Sequence, residues 1–243
     1  MRKLIVLVMA LALMTSPSWA LHLIDDFTES NAGDTADVVL SENVLNNEES
    51  AYISGLNTAN CVGGIRALYV KTTLAPVSGS NMLTVSQAGD LVAMDNPSAS
   101  NSIMALGYGT LTDEATNGLE SEDGDLNLDF TGDVGLNFDL VDADLSTTVT
   151  VQMDTAGGGI YTTNPIAVGI AAGTKQIFWT DFTSDPSADL GDVEGLAFTF
   201  TGPNAWDIQI DRIGSSEYQI PEPATMSLVG LGLVALVRRR RRK

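Results

Sequence analysis

The acidic residues of this chain carry the side chains best suited to binding a metal ion. Residues 122–125 read Glu-Asp-Gly-Asp and concentrate carboxylates around a predicted turn. Hard oxygen ligands in loops suit Ca²⁺, which takes about six to eight oxygens. An EF-hand is excluded, because Val134 stands where the bidentate Glu would fall when counted from Asp123. We predict Asp123 and Asp125 as one candidate structural calcium site, with a plain acidic surface loop as the alternative.

The sequence has few of the residues that nucleophilic catalysis and zinc binding usually need. His22 is the single histidine, whereas Ser-His-Asp and Cys-His mechanisms need a placed imidazole. Cys61 is the single cysteine; it excludes an intrachain disulfide and leaves a buried thiol or an intermolecular bond. We therefore predict no catalytic residues and a non-enzymatic protein. A carboxylate-dependent, glycan-active enzyme stays as an alternative, because acidic residues are abundant.

Aromatic side chains are the usual contacts of a sugar-binding surface, and four stand out here: Tyr108, Tyr161, Trp179 and Trp206. Aromatic residues make up only 6% of the chain, and a core of this size needs most of them. Trp206 shares the parity of Ile208 and Ile210, which predicts a buried face. Trp179 and Tyr161 remain the candidate ligand-binding residues.

Strand-like segments must position these residues. Short alternating runs at residues 68–70, 148–153, 196–200 and 206–210 predict half-buried strands. Breaks rich in Gly, Asn and Asp separate them. Residues 126–130 and 136–140 echo each other and predict a hairpin or two neighbouring strands. The pattern predicts an all-β protein with a single antiparallel, jelly-roll-like β-sandwich over residues 21–217.

Charge is distributed very unevenly along the chain. Between residues 21 and 220, four basic residues face 30 acidic ones, a formal charge of −26. Such a surface repels nucleic acid and anionic membranes. We therefore predict no nucleic-acid partner, while divalent cations and neutral glycans remain compatible with this charge.

The first 20 residues have the layout of a secretory signal peptide. Arg2 and Lys3 precede an apolar run, and Ser18-Trp19-Ala20 offers small residues around a cleavage point. We predict a cut after Ala20, with an uncleaved N-terminal anchor as the alternative. The remainder of the chain is then exported.

The last 26 residues, 218–243, combine three parts. Pro221-Glu222-Pro223 precedes a 14-residue apolar segment at 224–237, and a basic cluster ends the chain. The cluster comprises Arg238, Arg239, Arg240, Arg241, Arg242 and Lys243. Basic residues beside an apolar segment stay on the cytoplasmic side. As a helix, 14 residues span about 21 Å against a hydrocarbon core of about 30 Å, so we predict a temporary transmembrane hold.

These three parts resemble the PEP-CTERM sorting signal of Gram-negative bacteria that make exopolysaccharide. The resemblance implies recognition by an exosortase, a membrane protease-transpeptidase that cuts near the Pro-Glu-Pro motif. Before the cut the C-terminal segment holds the protein in the inner membrane, and afterwards the protein is at the cell surface or extracellular. An ordinary C-terminal membrane anchor is the alternative.

A second resemblance covers the domain. Asp25-Asp26-Phe27, the run 62–66 and the run 206–213 are laid out as in jelly-roll domains of PEP-CTERM proteins and in carbohydrate-binding modules. In such folds the N- and C-terminal strands are often neighbours, which makes Asp26 with Asp211 a second candidate calcium site.

Taken together, the sequence predicts an exported, exosortase-processed surface or extracellular matrix protein associated with exopolysaccharide or biofilm. The alternatives are a glycan-binding module and, after it, the glycan-active enzyme.

Overall fold

The structure of the protein is a computed structural model that describes residues 23–29, 38–76, 78–86, 90–111 and 125–217. Apart from Glu217, these residues belong to one compact unit, Leu21–Ser216. The signal peptide with its Ala20, Asp123, the Pro221-Glu222-Pro223 motif and the segments 224–237 and 238–243 lie outside the described residues. Among the described residues, no helix has the length and apolar character needed to cross a membrane.

The described residues form fifteen strands and two short 3-10 turns. The first eight strands are β1 (Leu23–Asp25), β2 (Val38–Glu42), β3 (Glu48–Ser54), β4 (Ile65–Leu74), β5 (Asn81–Ser86), β6 (Leu91–Asp95), β7 (Asn101–Gly109) and β8 (Asp133–Ala143). The others are β9 (Thr148–Thr155), β10 (Gly159–Thr163), β11 (Ile166–Ala167), β12 (Gly173–Phe178), β13 (Phe182–Ser184), β14 (Val193–Thr201) and β15 (Asp207–Glu217). The 3-10 turns are Val62–Gly64 and Trp179–Asp181.

Two antiparallel sheets contain these strands, which confirms the predicted all-β sandwich. The seven-stranded sheet has the order β12-β8-β15-β6-β5-β2, with β1 also paired to β15. The eight-stranded sheet has the order β13-β10-β9-β14-β7-β4-β3, with β11 also paired to β9. Because neighbours in each sheet are mostly distant in sequence, both sheets are complete only when the whole domain is present.

The core lies between the inner faces of the two sheets, as alternation requires. The eight-stranded sheet contributes residues such as Leu68, Leu106, Val151 and Phe198, and the seven-stranded sheet contributes residues such as Leu83, Phe138 and Ile210. The runs predicted at 68–70, 148–153 and 196–200 all lie in strands, and so do residues 207–210 of the run at 206–210. These alternating apolar residues explain why short strands of a very acidic chain collapse into one core.

Trp206 fills one end of this core and is completely buried, as its parity predicted. Its Nε1 donates to Asn101 Oδ1 at 3.0 Å, and its carbonyl accepts from Asn96 Nδ2 at 2.9 Å. A Cβ atom on Gly202 would lie 2.5 Å from Trp206 Cγ, so only glycine leaves room for the ring. Gly202, which directly follows β14, therefore makes room for this indole.

The predicted pairing of the two echoed segments is wrong. Residues 136–140 lie in β8 of the seven-stranded sheet, but residues 126–130 form no strand with them. Instead Leu126 and Leu128 donate backbone hydrogen bonds to Glu194 and Val193 in the other sheet. Asn127 adopts a φ of 50°, which interrupts extended structure at the centre of the first segment.

Candidate functional site

The clearest cluster of charged groups lies at the N-terminal end of the domain, and its centre is an ion pair between Asp25 and Arg66. Both side chains are completely buried. Arg66 Nε donates to Asp25 Oδ2 at 2.6 Å and Nη2 donates to Asp25 Oδ1 at 2.5 Å. This two-point geometry matches the planar guanidinium to the carboxylate. Arg66 Nη1 donates to the Glu29 carbonyl at 2.7 Å, so the same guanidinium also fixes the chain after β1.

Neighbouring groups complete this N-terminal cluster. Tyr108 donates from its hydroxyl to Asp25 Oδ2 at 2.9 Å. The Phe27 N–H donates to Asp25 Oδ1 at 2.9 Å, and the Arg66 guanidinium carbon lies 5.2 Å from the Phe27 ring centroid. Phe27 has a φ of 54°, which is unfavourable for an aromatic residue, and these contacts hold it there. Asp25 therefore uses both oxygens within the protein.

The ionisation of this cluster follows from its burial. Burial raises the pKa of Asp25, while Arg66 acts in the opposite direction. Burial alone would lower the pKa of Arg66, but the hydrogen bonds and charge of Asp25 raise it overall. Burial and then the charge of Asp25 raise the pKa of Tyr108 well above its ordinary value. The groups thus form a network in which each buried charge has a partner, so removal of one partner would leave an uncompensated buried charge.

Cys61 lies beside this cluster as a buried, free thiol. Its Sγ lies 3.5 Å from the Ile65 carbonyl, and its backbone forms a bridge with Asp25. Burial, and then the charge of Asp25, raise the pKa of Cys61. A protonated, inaccessible thiol is a poor nucleophile, so the geometry favours the buried thiol over an intermolecular disulfide.

The structure places the calcium candidates in different surroundings. Asp26 directly follows β1, and its Oδ1 accepts from the Thr28 N–H and hydroxyl at 3.1 and 2.7 Å. Asp211 is exposed in β15, the strand that pairs with β1, so the predicted neighbourhood of first and last strands is confirmed. Asp125 accepts from the Thr110 hydroxyl at 3.1 Å. Within the described ranges, no three acidic, His or Cys side chains come together as a metal site. Calcium binding stays a prediction.

Trp179 and Tyr161, the candidate ligand-binding residues, are half-buried and packed against the core. Trp179 Nε1 donates to the Asp133 carbonyl at 2.7 Å, and its ring centroid lies 5.7 Å from that of Phe130. The Tyr161 hydroxyl donates to the Ala188 carbonyl at 3.2 Å. Both side chains therefore hold loops to the sandwich. Their role in ligand binding stays a prediction.

A second group of acidic residues, which sequence reasoning missed, lies where β15 begins. Asp207 is directly opposite Asp95 on the neighbouring strand β6. Asp144 Oδ1 accepts from the Asp207 N–H at 2.8 Å, and Asp207 Oδ1 accepts from the Asn96 N–H at 2.8 Å. Burial raises the pKa of Asp207 to about 6; the Asn96 N–H opposes this effect, and Asp95 and Asp144 add to it. Strand pairing places Asp95 opposite Asp207, and Asp144, directly after β8, reaches the same point through its hydrogen bond to the Asp207 N–H.

Comparison with known proteins identifies the C-terminal segment. Residues 219–242 match the PEP-CTERM protein-sorting motif, which confirms the predicted sorting signal. The protein is therefore an exported β-sandwich that carries a PEP-CTERM sorting motif. The sequence shows no significant match to any curated protein.

Several solved structures share the general architecture at low similarity. A family 11 carbohydrate-binding module of a cellulosomal cellulase from Clostridium thermocellum has 14% identity and a TM-score of 0.38, covering 82% of this chain and 95% of that one. An exo-β-agarase has 10% identity and a TM-score of 0.41, covering 82% of this chain and 25% of that one. A metagenome-derived glycoside hydrolase family 12 endoglucanase has 10% identity and a TM-score of 0.33, covering 76% of this chain and 100% of that one. At these TM-scores the likenesses carry no inference about ligand or activity.

Proposed function

We propose that this protein is an exosortase-processed, non-enzymatic surface or extracellular matrix protein of a Gram-negative envelope or biofilm rich in exopolysaccharide. The sorting motif at 219–242 supports export and processing by a membrane exosortase. The acidic sandwich, with four basic residues against 30 acidic ones up to residue 220, is compatible with a hydrated, anionic matrix. The proposed organisation is a signal peptide at 1–20, a domain at 21–217 and a sorting segment at 218–243.

The observation that carries the structural role is the use of aromatic side chains. Of the aromatic residues in the described part of the chain, Tyr52 and Phe178 alone are substantially exposed, at 41% and 45%. Tyr52 lies on β3 of the eight-stranded sheet, and Phe178 ends β12 of the seven-stranded sheet. Among the described residues, two exposed aromatic rings on different sheets do not form a row on which a sugar chain could stack.

The charged groups support a non-enzymatic role for the same domain. Asp25, Arg66 and Tyr108 are completely buried and satisfy one another. Asp95 and Asp207 are direct neighbours within one sheet, whereas glycoside hydrolysis needs two carboxylates on either side of a scissile bond. The geometry therefore favours a structural protein over the glycan-active enzyme.

A glycan array on the purified domain separates the structural role from glycan binding. We expect no specific binding. Reproducible binding that is lost in Tyr52→Ala or Phe178→Ala, with unchanged melting temperature, would establish the glycan-binding alternative instead. Leu145→Ala is the matched control, because Leu145 is also exposed but is not aromatic.

Intact-mass measurement on protein from the native host tests the processing. We expect loss of residues 1–20 and truncation near Pro221-Glu222-Pro223. Mature surface protein that still carries the basic cluster 238–243 would reject exosortase processing and leave an ordinary membrane anchor.

A further inference from the structure

The first and last strands of the domain place the two ends of the sandwich side by side. Leu23 pairs with Gly214 and Asp25 pairs with Ile213, in antiparallel orientation. Because the strands are antiparallel, β1 begins where β15 approaches its end. The chain therefore enters and leaves the sandwich at one end of the seven-stranded sheet, which we call the exit end and define by Leu23, Gly135, Phe178 and Ser215.

Side-chain contacts show that Gly135 and Phe178 belong to this end. Asn137 Nδ2 of β8 donates to the Ser215 carbonyl of β15 at 2.9 Å. Gly135, two residues earlier in β8, pairs with Phe178 of β12. Neighbouring strands are about 4.8 Å apart, so the exposed Phe178 lies about two strand spacings from the end of β15. Leu145, which is 37% exposed, follows the opposite end of β8.

The entry point at the exit end is fixed by the buried ion pair. Arg66 binds Asp25 at two points and binds the Glu29 carbonyl at a third. Release of this segment would leave a buried guanidinium without its carboxylate, which is strongly unfavourable. The start of the domain consequently stays beside its end once the sandwich has formed.

The departure point is equally constrained, because β15 lies inside its sheet. It pairs with β8, β6 and β1, and its residues Ile208, Ile210 and Ile213 are buried in the core. The strand ends at Glu217, four residues before Pro221, and four extended residues reach about 14 Å at most. The length of the chain between the two therefore limits how far the motif can be from the end of β15 once the sandwich has folded.

We propose that the sorting peptidase cuts a fully folded sandwich and that the exit end is the surface facing the peptidase at the membrane. This inference rests on the proposed exosortase processing. Sequence positions support it from both sides, since only two residues separate the predicted signal cleavage after Ala20 from the start of β1. Both predicted processing sites are then joined by short segments of chain to the same end of the domain.

Linker length tests the proposal in the full chain, produced in cells that contain an exosortase. Deletion of residues 218–220 pulls the motif against the folded end, and we expect tail removal to slow about tenfold or more. Replacement of the same three residues by Gly-Ser-Gly restores the length and should restore tail removal. Cutting of the deletion variant at the wild-type rate would overturn the proposal.

Steric labelling tests which end faces the peptidase. Phe178→Cys and Leu145→Cys each add one exposed cysteine, because Cys61 is completely buried. A polyethylene glycol maleimide on residue 178 should block tail removal from membrane-bound precursor, and the same label on residue 145 should leave it unchanged. Equal effects of the two labels would overturn the assignment of the exit end.

A separate control distinguishes this inference from the function on which it rests. The double variant Pro221→Ala with Pro223→Ala removes the motif and should abolish tail removal regardless of linker length. If tail removal continues in that variant, motif-dependent processing itself is wrong. If tail removal stops in the double variant but does not depend on linker length or on either label, then motif-dependent processing is retained and the inference about a folded domain is wrong.

Discussion

Asp207 begins strand β15, Asp25 pairs with the same strand near its end, and the two carboxylates have opposite surroundings. Asp25 lies beside Ile213 near the end of the strand and is completely buried against Arg66. Asp207 begins the strand, is half-buried, and faces Asp95 and Asp144. One of the four basic residues between positions 21 and 220 is therefore placed in the core. At the start of β15, in contrast, backbone N–H groups donate to the carboxylates of Asp207 and Asp144.

The difference shows how a domain with a charge of −26 remains folded. Desolvation alone would disfavour a charged Asp25, and the two-point contact with Arg66 offsets part of that cost. At Asp207, solvent and the Asn96 N–H stabilise the charged carboxylate, while repulsion from Asp95 and Asp144 remains. Buried charge is thus compensated in this protein, whereas surface charge is tolerated.

Removal of the buried cation should have the largest effect. Arg66→Ala leaves Asp25 buried without a counter-charge, and we expect a loss of about 3–5 kcal/mol in the free energy of unfolding. Urea denaturation of the mature domain measures it. Arg212→Ala is the matched control, because Arg212 binds Asp139 at 2.6 Å but is 44% exposed; its loss should stay below about 1 kcal/mol. Equal losses would remove the distinction between buried and surface charge.

Removal of one hydrogen bond to Asp25 should have an intermediate effect. Tyr108→Phe keeps the ring in the core but deletes the donor to Asp25 Oδ2. We expect a loss of about 1–3 kcal/mol, since the acceptor stays buried. Tyr161→Phe is the control, because its hydroxyl bond to Ala188 lies in a half-buried loop contact. A smaller loss for Tyr108→Phe than for the control would show that Arg66 and the Phe27 N–H already satisfy Asp25.

The cluster at Asp207 should respond to pH with the opposite sign to a salt-bridged acid. A folded pKa of about 6 lies above the unfolded value of 3.8, so folding favours the protonated form. This contribution to stability is fully present below pH 3.8 and is lost as pH rises through 6. Asp207→Asn keeps the Oδ1 acceptor and should raise stability at pH 7 by about 1 kcal/mol after solvent screening.

Urea denaturation at pH 4 and pH 7 measures this effect. Asp142→Asn is the control, because Asp142 is an exposed acid on β8 outside the cluster. Equal responses of the two variants to pH would assign the effect to overall charge instead of the three converging carboxylates.

Thiol labelling should give the smallest effect. Cys61 is completely buried beside Asp25, so iodoacetamide should leave the native protein unmodified over the time in which urea-unfolded protein reacts fully. Rapid labelling of native protein would mean that the N-terminal cluster opens readily. The contrast between the buried Asp25 and the solvated Asp207 would then weaken.

Much of the fold was predictable because alternation is a local property. Residues 148–153 and 196–200 read as half-buried strands, and they are β9 and part of β14. The burial of Trp206 followed from its parity with Ile208. The predicted pairing of segments 126–130 and 136–140 was wrong because similar local patterns do not specify a partner strand. The left-handed backbone of Asn127 also interrupts the extended structure of segment 126–130.

The candidate sites were less predictable, because they depend on contacts between distant residues. Asp25 and Arg66 are 41 residues apart, and the two runs that contain them suggested a fold resemblance but no ion pair. Asp95, Asp144 and Asp207 meet through strand pairing and the hydrogen bond from the Asp207 N–H to Asp144. Trp179 and Tyr161 were chosen by residue type, and only the packing placed them against loops.

The sequence by itself determined the sorting signal of this protein and the class of its fold. A sorting motif is read as a linear segment, and strand periodicity and net charge are also properties of the chain. Only the tertiary structure decided which acid meets the buried arginine, which acids meet one another, and that both ends of the domain leave at the same place. The physical reason is that antiparallel pairing between the first and last strands joins residues about 190 positions apart, a distance over which local patterns carry no information.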